Sequence, residues 1–349
     1  MAERVMVAMS GGLDSAVAAA LLVDRGYEIV GATLRLMEGG SRCCSLGDID
    51  DARRTCETLG IPHYVLDSRA EFQEAVIDRF LSETEAGRTP NPCVGCNSKI
   101  KFGVLLEQAV ALDCDYIATG HYARIVQRDG RYAVRAGLDG TKDQSYFLFE
   151  LSQFQLQHTL FPLGDMVKDQ SKVISADRNL LPATKPESQD LCFLPKGGHR
   201  QYLHEHLPHL ERPGRFVTTD GTVMGQHDGA MHFTIGQRRG IGLGGGPWYV
   251  TAIDSEANDV VIGRVDDVQS RTTELHGVRW MLPPADGDEV RATVRIRYAH
   301  EPASALVRDV SPGIAEIVFD EPQFAITPGQ AAVFYDDDVV LGGGWVASR

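Results

Sequence analysis

The chain has no apolar run long enough to cross a bilayer. The longest near its start, "AVAAALLV", is eight residues and closes at Asp24, against roughly 20 for a spanning helix. The opening residues "MAERVMVAMS" carry Glu3 and lack the apolar core of a signal peptide. A cytoplasmic protein with no membrane association is therefore expected. Basic charge is also scarce. Lys and Arg number 34 against 48 Asp and Glu, a net charge of -14, which argues against indiscriminate binding of nucleic acid but leaves a local basic face open. From Glu301 onward eight acidic residues, Asp336, Asp337 and Asp338 among them, stand against Arg308 and Arg349, so a polyanion must avoid most of that tail. An internal repeat and low-complexity tracts are absent too, which excludes a solenoid or a fibre. The seven cysteines are an odd number, and in a long chain without secretion signals that favours thiols used in chemistry or metal binding over a disulfide scaffold. What remains, 43% hydrophobic and 23% charged over 349 residues, is an ordinary soluble composition of about two to three domains.

The first 120 residues alternate strand and helix signals. Val5 to Ala8 is a short buried strand, Asp14 to Arg25 a helix stopped by Gly26, and Ile29 to Leu36 a second strand. Helices are expected from Asp48 to Leu59 (with Gly60 and Pro62 after its end), from Glu71 to about Glu85 and from Asn97 to Val110, with "HYVLD" and "DYIAT" as further strands. This is an α/β, doubly wound parallel-sheet domain, in which ligands sit at the carboxyl ends of the strands. After residue 195 the pattern changes. Residues 212 to 268 are glycine-rich with short strands, and from about 272 segments such as "EVRATVRIRY" alternate as half-buried antiparallel strands. The expected division is 1–197, a small central domain over 198–270 and a C-terminal β-barrel over 271–349.

Three segments carry chemistry. In "SGGLDS" the glycines Gly11 and Gly12 follow a strand and precede a helix, so backbone N–H groups and the helix N-terminus favour an anion. The turn lacks the Gly-Lys-Ser/Thr of common phosphate loops. Asp14 would repel phosphate unless Mg²⁺ intervened, so metal-bound pyrophosphate is the coherent ligand; the bland reading is a capped turn. In "RTPNPCVGCNSKIKFG" the prolines Pro90 and Pro92 impose a stiff, extended approach, and Asn97 is expected to begin a helix. That places Cys96 at a helix N-terminus near Lys99 and Lys101, where its thiolate is favoured. Cys93-x-x-Cys96 reads equally as half of a metal site or a redox pair. In "KPESQDLCFLPKGG", Cys192 lies in an exposed-loop context.

The turn Ser-Gly-Gly-x-Asp-Ser resembles the PP-loop of ATP pyrophosphatases, which cleave ATP between the α and β phosphates. The three segments together, with "IATGHYAR", "GLDGTKDQSYFLF", "HFTIGQRRGIGLGG" and "FDEPQFAITPGQAAVFY", resemble the tRNA 2-thiouridylases (the MnmA family) over nearly the whole chain. The resemblance implies a PP-loop domain, a small central tRNA-binding domain and a β-barrel. It implies a sulfur-transferring transferase that converts the wobble uridine of tRNAs for Lys, Glu and Gln to 2-thiouridine. By that likeness ATP is held by Ala8, Met9, Ser10, Gly11, Gly12, Leu13, Asp14 and Ser15, with Leu34 and Gly120 around the adenylate. Cys96 matches the catalytic nucleophile and Cys192 the cysteine that carries persulfide sulfur, with a disulfide between them as a possible later state. Asn91, Pro92 and Cys93 match the loop at the target base, while His121, Lys142, Asp143, Gln144, Arg297, Tyr298 and Gln330 match tRNA contacts. The implied ligands and partners are ATP, Mg²⁺, tRNA and a sulfur donor, either a cysteine desulfurase or a relay protein, with the enzyme a monomer.

One residue departs from the pattern. Many members have Asp where Cys93 stands, and Cys93, Cys96 and Cys192 could together hold a [4Fe-4S] cluster. The persulfide route is preferred because helix-terminal Cys96 would be activated without iron. A ligase on a small molecule and an RNA-binding regulator without chemistry are the rival classes. Gly240, Gly242 and Gly245 satisfy G-x-G-x-x-G but precede a strand-like stretch, so dinucleotide binding is not expected. The run His199, His204, His206, His209 reads as a solvated polar helix or loop, and Cys56 and Cys114 read as packing residues. Arg238 and Arg239 read either as contacts to the tRNA backbone or as solvated surface. Cys43 and Cys44 read as loop residues near the site, with no role assigned.

Overall fold

The apolar run Val5-Met6-Val7 has the β-branched, unalternating character of a strand covered on both faces. It forms the middle of β1 (Arg4–Ala8), all three residues being fully buried. The computed structural model describes residues 2–38, 46–180, 191–195, 197–284 and 289–347. Contacts divide the chain into two units, the first made of residues 1–77, 92–195 and 338–341, the second of 78–91, 196–337 and 342–349.

In the first unit β1 is flanked by β2 (Glu28–Arg35) and β4 (Tyr116–Ala118), with β3 (His63–Asp67) beyond β2 and β7 (Thr159–Leu160) beyond β4. All four pairings are parallel. The chain moves outward from β1 to β3 in one direction and from β4 to β7 in the other. The carboxyl ends of β1 and β4 thus flank a topological switch point, the place where such sheets take ligands. The helix Leu13–Asp24 covers one face. Its alanines Ala16, Ala18, Ala19 and Ala20 are fully buried, which lets it lie close against the strands. The loops Met9–Gly12 and Thr119–Gly120 open at the switch point.

The described elements match the expected doubly wound sheet, with two differences. The helical stretch expected from Asn97 begins five residues earlier. Pro92–Gly95, Cys96–Val104 and Leu105–Ala111 follow without a break, the middle segment wound as a π-helix. The reason is that proline restrains the residue before it, here Asn91, yet is favoured as the first residue of a helix, where its missing N–H costs nothing. A hairpin of β5 (Ala123–Arg128) and β6 (Arg131–Ala136) was not anticipated. Its two-residue turn is Asp129-Gly130 with positive φ at both positions (52° and 74°), the conformation that matches the twist of paired antiparallel strands.

In the second unit, β8 (Gly214–Thr218), β9 (Val223–His227), β10 (Tyr249–Asp254) and β11 (Asp259–Gly263) form a four-stranded sheet in the order β10-β11-β8-β9. Phe216, Val250, Val260 and Ile262 centre its core. Then follow β12 (Gln269–Trp280), β13 (Glu289–Arg295), β14 (Ala303–Ser311), β15 (Ile314–Phe324), β16 (Ala331–Asp336) and β17 (Val339–Val346), of which residues 342–346 belong to this unit. They run in the order β12-β15-β14-β13-β16-β17, and pairing of β12 with β17 closes the barrel, which removes the exposed strand edges.

Gly11 illustrates how tightly the first turn is specified. It holds φ +70°, and a Cβ there would lie 2.2 Å from the carbonyl oxygen of Asp48. Gly12 has φ -101°, and a Cβ on it would meet only Ser10 Oγ at 3.3 Å. Gly11→Ala is therefore expected to destabilise the protein by about 2–4 kcal/mol, from the forced φ and the backbone clash together, while Gly12→Ala costs about 1 kcal/mol or less. Thermal unfolding of the two variants side by side checks this; equal melting temperatures would contradict it.

Candidate active site

The glycine turn is knitted by its own hydroxyls. Ser10 N donates to Ser15 Oγ (3.2 Å), Ser15 Oγ donates to Gly12 O (2.9 Å) and Gly12 N approaches Ser10 Oγ (3.3 Å). Gly12 is the N-cap of the helix Leu13–Asp24 and brings no side-chain cap, so that end of the helix is open to an anionic ligand. Gly120 closes the other side. A Cβ on it would stand 2.7 Å from the carbonyl carbon of Asp14 and 2.9 Å from Ser15 N, so the loop after β4 lies directly on the start of that helix. Leu34, near the end of β2, pairs with Leu66 in the same sheet. The expected nucleotide residues Ala8 to Ser15 and Gly120 thus converge at the switch point.

Sequence reasoning missed the cation of this site. Lys168, first residue of the helix Lys168–Asp177, is only 9% exposed, and its Nζ donates to both carboxylate oxygens of Asp14 (2.7 and 2.9 Å). The Tyr122 hydroxyl donates to Asp14 Oδ1 (3.0 Å) and shares a hydrogen bond with Ser171 Oγ (2.9 Å), and the ammonium lies 5.6 Å from the Tyr122 ring centre. Asp139 Oδ2 accepts from Lys168 N (3.0 Å) and so fixes where that helix begins. The lysine absent from the turn is thus supplied from more than 150 residues away. No local motif advertises it, because "MVKDQ" is unremarkable without the fold.

The cysteines occupy distinct environments. Cys93 and Cys96 are three residues apart in the helical stretch from Pro92, so they share a face. Cys93 lies in the first helical turn and is half-buried, whereas Cys96 is 8% exposed and begins the π-helical segment. This corrects the placement of Cys96 at a helix N-terminus. The helix dipole acts mainly within the first turn, so it favours a thiolate at Cys93 more than at Cys96. Cys192 is half-buried in a turn, and Phe193 beside it packs on Phe72 with ring centres 6.4 Å apart. The short helix Arg69–Phe72 in turn packs against the segment Cys96–Val104, so one chain of packing in the first unit connects the surroundings of the two thiols. Cys56 and Cys114 are buried. Burial raises the Cys56 thiol to about 12 and also raises Cys114, as suits packing residues. Cys43 and Cys44 lie outside the described residues. Among the described residues no group of three or more His, Cys, Asp and Glu is placed to hold a metal. The triad Cys93, Cys96 and Cys192 therefore does not fit a [4Fe-4S] cluster as folded.

The expected RNA contacts divide. Lys142 is half-buried, and Tyr298 is 40% exposed. Asp143 is 3% exposed and builds a turn, accepting from Gly137 N, Ser145 N and Ser145 Oγ. Gln144 Oε1 accepts from Tyr122 N (3.0 Å). His121 is buried against Phe102 and Phe161, which also pack on each other, with Nδ1 bonded to Thr119 Oγ1 (2.7 Å), and desolvation holds its imidazole well below its ordinary pKa and neutral. As folded, neither Asp143 nor His121 reaches the surface. Arg297 Nη1 donates to Phe324 O (3.2 Å), and Gln330 Nε2 to Thr89 O (2.8 Å). Arg238 and Arg239 line, with Gln237, a basic pocket of about 550 Å³ in the second unit.

The decoys resolve physically. Gly240, Gly242 and Gly245 lie in an irregular stretch that leads into β10, with no helix after it. His199 packs edge-on to Phe80, His206 stacks on Tyr202, His204 pairs with Glu211 and His209 with Glu85. The histidine run is thus partly engaged in packing, while the side chains of His204 and His209 stay largely solvated and each meet a carboxylate.

Family models match the chain in three consecutive parts: a tRNA methyl transferase HUP domain over residues 3–196, a tRNA methyl transferase PRC-barrel domain over 200–264 and an aminomethyltransferase beta-barrel domain over 270–346. The tRNA-specific 2-thiouridylase MnmA of Magnetococcus marinus is 45% identical over 353 aligned residues, covering 99% of each chain. The protein of that name from Moorella thermoacetica is 46% identical over 98% of this chain and 99% of its own, and that of Halothermothrix orenii is 44% identical over 98% of both.

Burial orders the thiols by reactivity. With iodoacetamide at pH 8, peptide mapping is expected to find Cys93 and Cys192 alkylated first, and Cys56 and Cys114 labelled at least about tenfold more slowly until the protein is unfolded, because the thiolate is the nucleophile. Fast labelling of Cys56 in the native protein would contradict its burial.

Proposed function

Since the chain belongs to the tRNA-specific 2-thiouridylase family, we propose that it replaces the C2 oxygen of the wobble uridine of tRNA with sulfur at the expense of ATP. The observation that carries this reading is the turn Ser10–Gly12 at the switch point, with Asp14 held by Lys168. It is an anion site whose own carboxylate is already neutralised, suited to a pyrophosphate leaving group. The half-buried thiols of the first unit supply the sulfur chemistry, which favours thiolation over the methyl transfer in the family models' descriptions.

The uridine C2 oxygen attacks the α-phosphorus of ATP, and the bond to the β-phosphate oxygen breaks to release pyrophosphate. Gly11, Gly12 and the start of the helix Leu13–Asp24 receive the phosphates through backbone N–H groups. Asp14 is the carboxylate that would hold a Mg²⁺ bound with the nucleotide, which would offset phosphate charge. The outer sulfur of a Cys192 persulfide then attacks C2, and AMP departs with the former C2 oxygen. The Cys96 thiolate next attacks Cys192 Sγ. That breaks the S–S bond to the base-bound sulfur, leaves 2-thiouridine and joins Cys96 to Cys192 in a disulfide that an external thiol reduces. Asn91 and the first helical turn with Pro92 and Cys93 meet the base. A sulfur donor reloads Cys192.

One assay tests the reading: ATP, a sulfur donor and tRNA bearing an unmodified wobble uridine. Wild type is expected to form 2-thiouridine with AMP release, and Cys96→Ala and Cys192→Ala each to lose about 10³-fold or more of thiolation. Cys192→Ala should still release pyrophosphate; normal thiolation by that variant would overturn the mechanism. Lys168→Met removes the partner of Asp14 and leaves a bare carboxylate beside the phosphates. Calorimetry should show ATP binding weakened about tenfold, about 1.4 kcal/mol, with Lys168→Arg much closer to wild type. Unchanged ATP affinity in Lys168→Met would remove Lys168 from the site.

A further inference from the structure

The approach to the base-facing loop is gripped by a turn of the barrel in the second unit. Both backbone groups of Thr89 are taken by the turn Thr327–Gln330: Thr89 N donates to Pro328 O (2.9 Å) and Thr89 O accepts from Gln330 Nε2 (2.8 Å). Gly329, at φ +85°, presses on the same residues, since a Cβ there would lie 3.0 Å from Arg88 Cβ and 3.2 Å from Thr89 N. The grip itself is firm. Gln330 N donates to Thr327 O, Val346 N to Gln330 O (2.9 Å) and Gly329 N to Val346 O (3.1 Å). Arg88 is anchored by a fork onto Glu83, with Nε at 2.5 Å and Nη2 at 3.0 Å. Beyond Thr89 the chain reads Pro90-Asn91-Pro92. Two prolines fix their own φ and restrict the residues before them, so the direction imposed at Thr89 passes with little freedom to Asn91.

We infer that Gln330 is a positioning residue of the thiolation site: it acts on the target base through the backbone of Thr89, by setting where Asn91 lies. This rests on the proposed function, in which Asn91 to Cys93 meet the base. Gly329 belongs to the same device, because only glycine lets the turn press flat on Arg88 and Thr89.

The test separates affinity from turnover. In Gln330→Ala, tRNA affinity is expected to stay within about twofold of wild type, while single-turnover thiolation at saturating tRNA falls about tenfold or more and backbone amides of residues 86–95 exchange faster with deuterium. Gln330→Glu, which cannot donate to the carbonyl, should match the alanine variant, and Gln330→Lys, which keeps a donor, should recover part of the rate. Gly329→Ala should reproduce the rate loss with no donor removed. A tenfold loss of tRNA affinity in Gln330→Ala with full turnover at saturation, or unchanged exchange over 86–95, would overturn the inference. If wild type does not thiolate tRNA at all, the functional reading fails, and the exchange arm still decides whether Gln330 holds this segment.

Discussion

The carboxylate of Asp14 at the mouth of the glycine turn is held by a cation, and its pairing with Lys168 is the constraint around which the first unit is arranged. Asp14 sits in the first turn of the helix Leu13–Asp24, where the helix dipole favours its charge. The same N–H groups would serve a phosphate, so the carboxylate and the ligand compete for one field unless something neutralises Asp14. Lys168 does so from a helix whose start is pinned by Asp139, over the ring of Tyr122, whose hydroxyl also donates to Asp14. Gly120 must be glycine for the loop after β4 to reach this point at all. Four separate stretches of chain thus depend on one ion pair. Its lysine is buried, so removing the carboxylate alone would leave that charge unpaired.

The start of the helical stretch at Pro92 alters the reasoning about sulfur. With Cys96 at a helix N-terminus, dipole activation would have been reason enough to prefer a persulfide route. One turn further in, that reason weakens, and the π-helical winding from Cys96 onward becomes the local peculiarity, a feature often found at functional sites. What disfavours a cluster is instead the donor arrangement: the three thiols that a [4Fe-4S] centre would need are not gathered as folded.

What could be read from sequence was what is local. The parallel sheet followed from buried apolar runs separated by helix stop signals, and the glycine turn from its own spelling. The barrel's alternating strands were visible in "EVRATVRIRY". The β5–β6 hairpin carried an Asp-Gly turn signal that was not used. Lys168 could not be found, because a charge pair spanning 154 positions leaves no spacing to notice. The helix start failed for a subtler reason. "TPNPC" contains two prolines with opposite meanings: Pro90 continues an extended approach, whereas Pro92 opens a helix. Only the fold distinguishes them.

The same distinction governs the residues that resemblance assigns to RNA. A polar side chain in a well-marked motif can be a ligand or a strut, and sequence identity supports both equally. Burial and the identity of the partner show which of them also serve as struts. Asp143 gives its carboxylate to the N–H groups of Gly137 and Ser145, His121 is packed against two phenylalanines and neutral, and Gln330 and Arg297 donate to backbone carbonyls. Asp143, Gln330 and Arg297 thus each hold a piece of backbone. Tyr298 remains exposed to a partner of any kind. With a net charge of -14, general electrostatic attraction gives such a protein little hold on tRNA. Local basic residues such as Arg238 and Arg239, and a rigidly shaped surface with a few placed contacts, are then what recognition can draw on, and side chains bonded to backbone provide rigidity of that kind.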